Sequence, residues 1–221
     1  MPARNDERET HEGSLYRIFI AHASEDTAFA DNIMQALKRV KEFAPYLAKD
    51  FPSYGLSFIE KIQNAIEASH FMIVILSENS VLNQWVNQEL GFACAIRKIK
   101  KKLSIIPIWK SNVPLKGFIT KDTTELLDSE KQELEILIAN IFRHIRATIP
   151  YGSDKGFFHF TLECPVCKGP EGLPLEVLVP IPALDAIFRS HERKNHFWQC
   201  KCSRCGGLLG FHILTLEQVD T

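Results

Sequence analysis

FMIVILSENSVLNQWVNQELGFACAI (Phe71–Ile96) holds the two patterns on which the fold turns. Phe71 to Leu76 is an unbroken apolar run, as expected of a parallel strand covered on both faces. From Leu82 to Ile96 the period is helical. With each residue turned by about 100° and Trp85 set at zero, Phe92, Ile96, Ala93, Val86 and Leu90 share one broad apolar face. Asn83, Gln84, Asn87 and Gln88 lie opposite. Glu89 breaks the pattern: it falls at about 40°, near the middle of the apolar face and one turn from Trp85. A carboxylate where a helix should meet a core needs a reason.

The flanking segments repeat the alternation of strand and helix. Tyr16 to Ala21 is a short apolar run, followed by the loop His22 to Asp26. Ser24 and Asp26 are candidate caps for a helix with apolar positions Phe29, Ile33, Leu37 and Val40. Tyr46 to Ala48 is a weak strand signal, and Lys49 to Gly55, with Pro52, reads as a loop. Leu56 to Ser69 presents Ile59, Ile62 and Ile66 at helical spacing. Ser104 to Trp109 is a further strand, in which Pro107 predicts a bulge or an edge position. A long helix is expected from about Ser129 to Ile149. Such alternation calls for an open, mostly parallel sheet flanked by helices, of the α/β, flavodoxin-like kind. In these folds ligands gather in loops at the carboxyl ends of the strands. Here those loops are 21–27, 49–56 and 77–83, and Glu89 is expected to face that crevice.

Bulk composition narrows the function classes. The chain has 221 residues, 45% of them hydrophobic and 24% charged, with a net charge of −1. That suits a soluble globular protein with room for one medium domain and one small one, and it favours neither nucleic acid nor an anionic membrane as partner. No run approaches the length of a membrane span, residues 1–14 read as a polar, flexible leader, and a cytoplasmic location is expected. The basic run Arg97 to Lys102 complements a helix C-terminus.

Several stretches, in this order and spacing, resemble a TIR domain: RIFIAHASED (Arg17 to Asp26), KDFPSYGLSF (Lys49 to Phe58), FMIVILSENSV (Phe71 to Val81), WVNQELGFA (Trp85 to Ala93), and SIIPIWK (Ser104 to Lys110) with the LKGF after it. The resemblance covers about residues 15–150. Family members with Trp and Glu four residues apart on this helix often cleave NAD⁺ at the nicotinamide bond. The resemblance therefore implies Glu89 as the catalytic carboxylate and Trp85 as its aromatic neighbour. It implies pocket positions at His22, Ala23 and Ser24 in the first loop, Phe51, Gly55 and Leu56 in the second, and Ser77 after the third strand. Expected products are ADP-ribose or a cyclic isomer. It also implies self-assembly through the TIR domain and a role in prokaryotic antiviral defence. The alternative is a non-catalytic scaffold or signalling adaptor, in which Glu89 is structural.

Beyond about residue 156 the character changes. CPVCKG (Cys164 to Gly169) and CSRCGG (Cys202 to Gly207) are paired Cys-x-x-Cys knuckles, and together Cys164, Cys167, Cys202 and Cys205 supply four thiolates for a structural zinc ion. The flanking apolar segments read as strands, and 156–221 resembles a small β-rich zinc ribbon. Cys200 is a rival ligand to Cys202; His191 and His196 are weaker ones. Leu184 to Glu192 is a short helix candidate. A protein partner or trigger is expected at the ribbon in preference to nucleic acid. Cys94, on the helix, reads as a small buried residue.

Overall fold

The computed structural model describes residues 16–47, 57–100, 103–110, 112–115, 126–149, 158–175 and 197–219. The apolar run at Phe71–Leu76 is strand β3, and every one of its residues is buried. Beside it lie β1 (Tyr16–Ala21), β2 (Phe43–Leu47), β4 (Ser104–Trp109) and the two-residue β5 (Leu127–Asp128). Among the described residues these make a five-stranded sheet in the order β2-β1-β3-β4-β5, with all pairs parallel. The helices are α1 (Thr27–Lys38), α2 (Phe58–Glu67), α3 (Glu78–Leu82), α4 (Gln84–Lys100) and α5 (Leu134–Thr148). Alternation along the strands divides the core in two. Ile18, Ile20, Phe71, Ile73, Ile75, Ile106 and Ile108 face α1 and α5. Phe19, Ala21, Met72, Val74, Leu76 and Ile105 face α2 and α4.

Several boundaries differ from expectation for local reasons. β2 is Phe43–Leu47 and lies at the sheet edge, where Pro45 is tolerated because it has no donor to offer an outer neighbour. Pro107 is neither at a bulge nor on an edge strand: β4 lies between β3 and β5, and Pro107 pairs with Val74 in unbroken register. Among the described residues β5 pairs with Ile108 and Trp109 but not with Pro107, so the missing donor is tolerated on that side. The expected helix from Leu82 is two helices. Asn83 leaves helical geometry at φ −80°, ψ 117° to end α3. Its Oδ1 then accepts from the amides of Trp85 (2.9 Å) and Val86 (3.3 Å), so it caps α4. α5 begins at Leu134 rather than near Ser129. Asp26 precedes α1 without capping it through its side chain; that carboxylate is engaged elsewhere.

The C-terminal segment forms β6 (His159–Glu163) paired antiparallel with β7 (Pro170–Pro174), and β8 (Phe197–Lys201), β9 (Leu208–His212) and β10 (Gln218–Val219) in a second small sheet. Phe158, Phe160, Leu162, Leu209, Phe211, Ile213, Leu214 and Leu216 are buried in the same cluster as α1 and α5. At about 1.5–3 kcal/mol for each large apolar side chain buried, this docking is a major term for both partners. The expected leader, the expected loop at 49–56 and the helix candidate at 184–192 lie outside the described residues, as do Ala48, His191 and His196.

Candidate active site and metal centre

Glu89 is on the second turn of α4 and is 7% exposed. Val86, Leu90, Ala93 and Ile96 of the same face are buried with it. The carboxylate lines a cleft between α2 and α4, with Ile59, Ile62 and Ile66 on one wall and Trp85, Gln88 and Phe92 on the other. Burial alone pushes its pKa up to about 7. At neutral pH the group is poised between its two forms, as suits an acid, base or charge-stabilising residue.

The cleft has an apolar rim. Trp85 is 47% exposed and meets the ring of Phe58 edge-to-face, at 5.3 Å and 90°. Phe58 and Ile59 are also about half exposed. α2 is held in register here by a reciprocal cap: the Ser57 side chain accepts from the Glu60 amide and the Glu60 carboxylate accepts from the Ser57 amide. Large half-exposed aromatics beside a buried carboxylate offer flat surfaces for a ring system.

A second polar cluster lies at the carboxyl end of the sheet. The Ser77 hydroxyl, at the end of β3, donates to the Asp26 carboxylate, and Lys110, just past β4, is 3.6 Å from the same group. Asp26 and Ser77 are both buried. Ser77 also caps α3 reciprocally with Ser80. Asp26 thus fastens the loop after β1 to the segment that leads through α3 and Asn83 into α4. The structure places the expected residues in different surroundings. Trp85 and Glu89 come together. His22, Ala23, Ser24 and Ser77 do not line the α2–α4 cleft: Ala23 is fully buried, Ser24 is exposed, and His22 lies 3.4 Å from the Thr27 hydroxyl. Phe51, Gly55 and Leu56 lie outside the described residues. Sequence reasoning misses Phe58, Ile59 and Gln88 as site residues, although Phe58 and Ile59 sit at the start of a helix facing that of Glu89. It marks Asp26 only as a cap, and Lys110 carries no local signal.

The sulfur atoms of Cys164, Cys167, Cys202 and Cys205 all lie within 4.8 Å of one another. The Cys164–Cys205 and Cys167–Cys202 separations are 3.4 and 3.8 Å. Tetrahedral zinc with bonds of about 2.3 Å needs sulfurs about 3.8 Å apart, whereas a disulfide needs about 2.05 Å. The donor set therefore fits a tetrahedral metal. Both knuckles turn the same way, with the amides of Lys168 and Gly206 donating to the carbonyls of Cys164 and Cys202. Lys168 and Gly206 take positive φ, 52° and 73°, so glycine relieves only the second turn. Cys200 is outside the cluster and packs against the core, which favours Cys202 as the ligand.

The profile of the TIR domain family matches residues 18–138. Over 95 residues, 42% of this chain and 37% of the relative, the chain is 37% identical to the "Probable 2' cyclic ADP-D-ribose synthase TcpB" of Brucella melitensis biotype 1. Over 133 residues, 59% of this chain and 40% of the relative, it is 24% identical to the "NAD(+) hydrolase TcpA" of a Theionarchaea archaeon. The chain thus spans about two fifths of the length of the curated relatives it matches. Among solved structures, the TIR domain of the Toll-related receptor TRR-2 from Hydra magnipapillata matches with a TM-score of 0.48 at 25% identity, covering 59% of this chain and 98% of that one. The TIR domains of the activated Roq1 resistosome match with a TM-score of 0.49 at 19% identity, covering 59% and 99%. Among the described residues no helix is long and apolar enough to cross a membrane.

Proposed function

The chain belongs to the TIR domain family, and on that premise we propose that it cleaves NAD⁺ at the nicotinamide–ribose bond with Glu89 as the catalytic carboxylate. The observation that carries this reading is the buried Glu89 itself, held in the apolar face of α4 with its pKa raised to about 7 beside the exposed Trp85 and Phe58 rings. The activities for which TcpB and TcpA are named support it.

The chemistry follows from charge. Breaking the N-glycosidic bond releases neutral nicotinamide and leaves oxocarbenium character on the ribose. A carboxylate with few water neighbours stabilises that cation more strongly than an exposed one. The positively charged pyridinium of the substrate favours the ionised form of Glu89, so binding lowers the pKa that burial has raised. The carboxylate then either stabilises the cation or attacks it to form a covalent ester. Water completes hydrolysis to ADP-ribose, and an internal nucleophile of the adenosine half completes cyclisation. Trp85 and Phe58 present ring faces for the nicotinamide or the adenine.

The four knuckle cysteines would hold a structural zinc ion, closed to substrate because all four positions are protein thiolates. Assembly of copies and a role in antiviral defence extend the same reading and rest on the family resemblance.

The test is nicotinamide release from NAD⁺ by concentrated full-length chain, native against Glu89→Ala, with a crowding agent present. Release by the native chain that disappears in the variant supports the assignment. Equal release by both removes Glu89 from catalysis and leaves the scaffold reading.

A further inference from the structure

The cysteine cluster sits at one end of strands whose other end is sunk in the TIR core. Along the chain into the first knuckle, Phe158, Phe160, Leu162 and Cys164 alternate with exposed or half-exposed neighbours, and all four are at most 1% exposed. They therefore project from one face of β6. On the chain out of the second knuckle Leu209, Phe211 and Ile213 are buried as well, within a stretch from Leu209 to Leu216 that is buried throughout. Cys164 and Cys202 belong to the same buried cluster as Leu37, Val40, Phe142 and Ile145 of the α1–β2–α5 side.

The aromatic residues of this module do not close on one another alone. Phe158 packs edge-on against Phe43 of β2 at 4.7 Å and against Tyr16 of β1 at 5.8 Å, and the Arg146 guanidinium of α5 lies over its ring. Phe160 meets Phe211 at 5.4 Å and forms an antiparallel bridge to Val40. The Lys41 amide donates to the His159 carbonyl at 2.6 Å. Polar groups at the border are paired across it: Glu42 accepts from the His159 amide at 2.7 Å, Arg39 donates to the Thr215 carbonyl at 2.5 Å, and His212 lies 3.3 Å from Glu135. These are core contacts and strand extension, unlike the wet, polar border between two domains that move independently.

We propose that metal binding by Cys164, Cys167, Cys202 and Cys205 is a staple for the α1–β2–α5 side of the TIR domain, acting through this shared core, and not for a separate ribbon. Without the metal, β6–β7 and β8–β9–β10 are short two- and three-stranded pieces joined near the knuckles by contacts of Glu171 with Ser203 and Arg204 and of Glu163 with Gln218, and such pieces are marginal alone. Their loosening withdraws Phe158, Phe160 and Phe211 from α1, β2 and α5. The sheet lies between this face and the Glu89 cleft, so the inference does not depend on the catalytic reading.

The experiment uses the full chain loaded with zinc, the same chain treated with a zinc-selective chelator, and the double variant Cys167→Ser/Cys205→Ser, whose changed side chains are exposed. Amide hydrogen exchange is followed in residues 27–38 and 134–148, together with thermal unfolding and bound zinc. The expected result is about one zinc per chain and a single transition that falls by about 10 °C or more on chelation. Exchange in α1 and α5 rises at least about tenfold, and added zinc reverses both changes. Unchanged exchange in α1 and α5 while only the knuckles loosen would overturn the proposal. So would an upper transition indifferent to zinc, or native chain that binds no zinc. If the double variant does not fold, chelation of the folded native chain decides between these outcomes by itself.

Discussion

The two faces of the sheet are built to opposite rules. On the α1–α5 face nearly everything buried is apolar, three phenylalanines of the C-terminal module fill the core, and border charges such as Glu42 and Arg39 find partners. On the α2–α4 face a carboxylate is buried with no basic partner among the described residues, and Phe58, Ile59, Leu82 and Trp85 are left half or fully exposed. An uncompensated buried acid and exposed rings both cost stability. The difference teaches where to look: one face is arranged to hold the fold, and the other carries the groups on which the proposed chemistry rests.

The largest expected effect falls on the apolar face. Phe160→Ala removes a fully buried ring that joins Val40 to Phe211, and it should cost about 3–5 kcal/mol in urea unfolding. A loss below about 1 kcal/mol would mean that the module does not share the TIR core.

The next effect has the opposite sign. With its pKa raised from 4.5 to about 7, Glu89 has no adverse effect below pH 4.5, where folded and unfolded chains both hold the proton. Between pH 4.5 and 7 the unfolded chain releases its proton first, so stability falls as pH rises, and above pH 7 the full deficit of about 3 kcal/mol is present. Glu89→Gln should therefore stabilise the chain by up to about 3 kcal/mol at pH 8 and by much less at pH 5. A difference independent of pH would deny that burial of the charge is the cause.

Asp26→Ala tests the link between the faces' loops. It leaves Ser77 and Lys110 without their shared buried partner and should cost about 1–3 kcal/mol by thermal unfolding. Because Ser77 leads through α3 and Asn83 into α4, it should also lower kcat for nicotinamide release more than it raises KM. Smallest is Trp85→Ala. Loss of a half-exposed stacking surface is expected to raise KM for NAD⁺ about tenfold, with stability changed by under about 1 kcal/mol.

Much of this contrast is legible in residue order. Phe71 to Leu76 announces a doubly covered strand, the knuckles announce their cluster, and the helical angle of Glu89 marks it as an acid inside an apolar face. Three features are not legible. Asn83 looks like one more polar residue in a helical run, and only its two accepted hydrogen bonds reveal a cap between helices. The alternation at Phe158, Phe160 and Leu162 announces a strand face but not its partner, which lies on α1, β2 and α5, more than a hundred residues away for the His159–Glu42 contact. Asp26 and Ser77 are 51 residues apart. Local periodicity reports which side of an element is apolar, and the pairing of such sides is decided by the whole chain.

The most direct test of the account is a single variant, Glu89→Gln, read at pH 8 for nicotinamide release and for stability under the same conditions. The account predicts a variant that is more stable than the native chain and has lost cleavage by about a thousandfold, because one carboxylate both strains the fold and performs the chemistry. A variant that cleaves NAD⁺ as fast as the native chain would contradict it, whatever its stability.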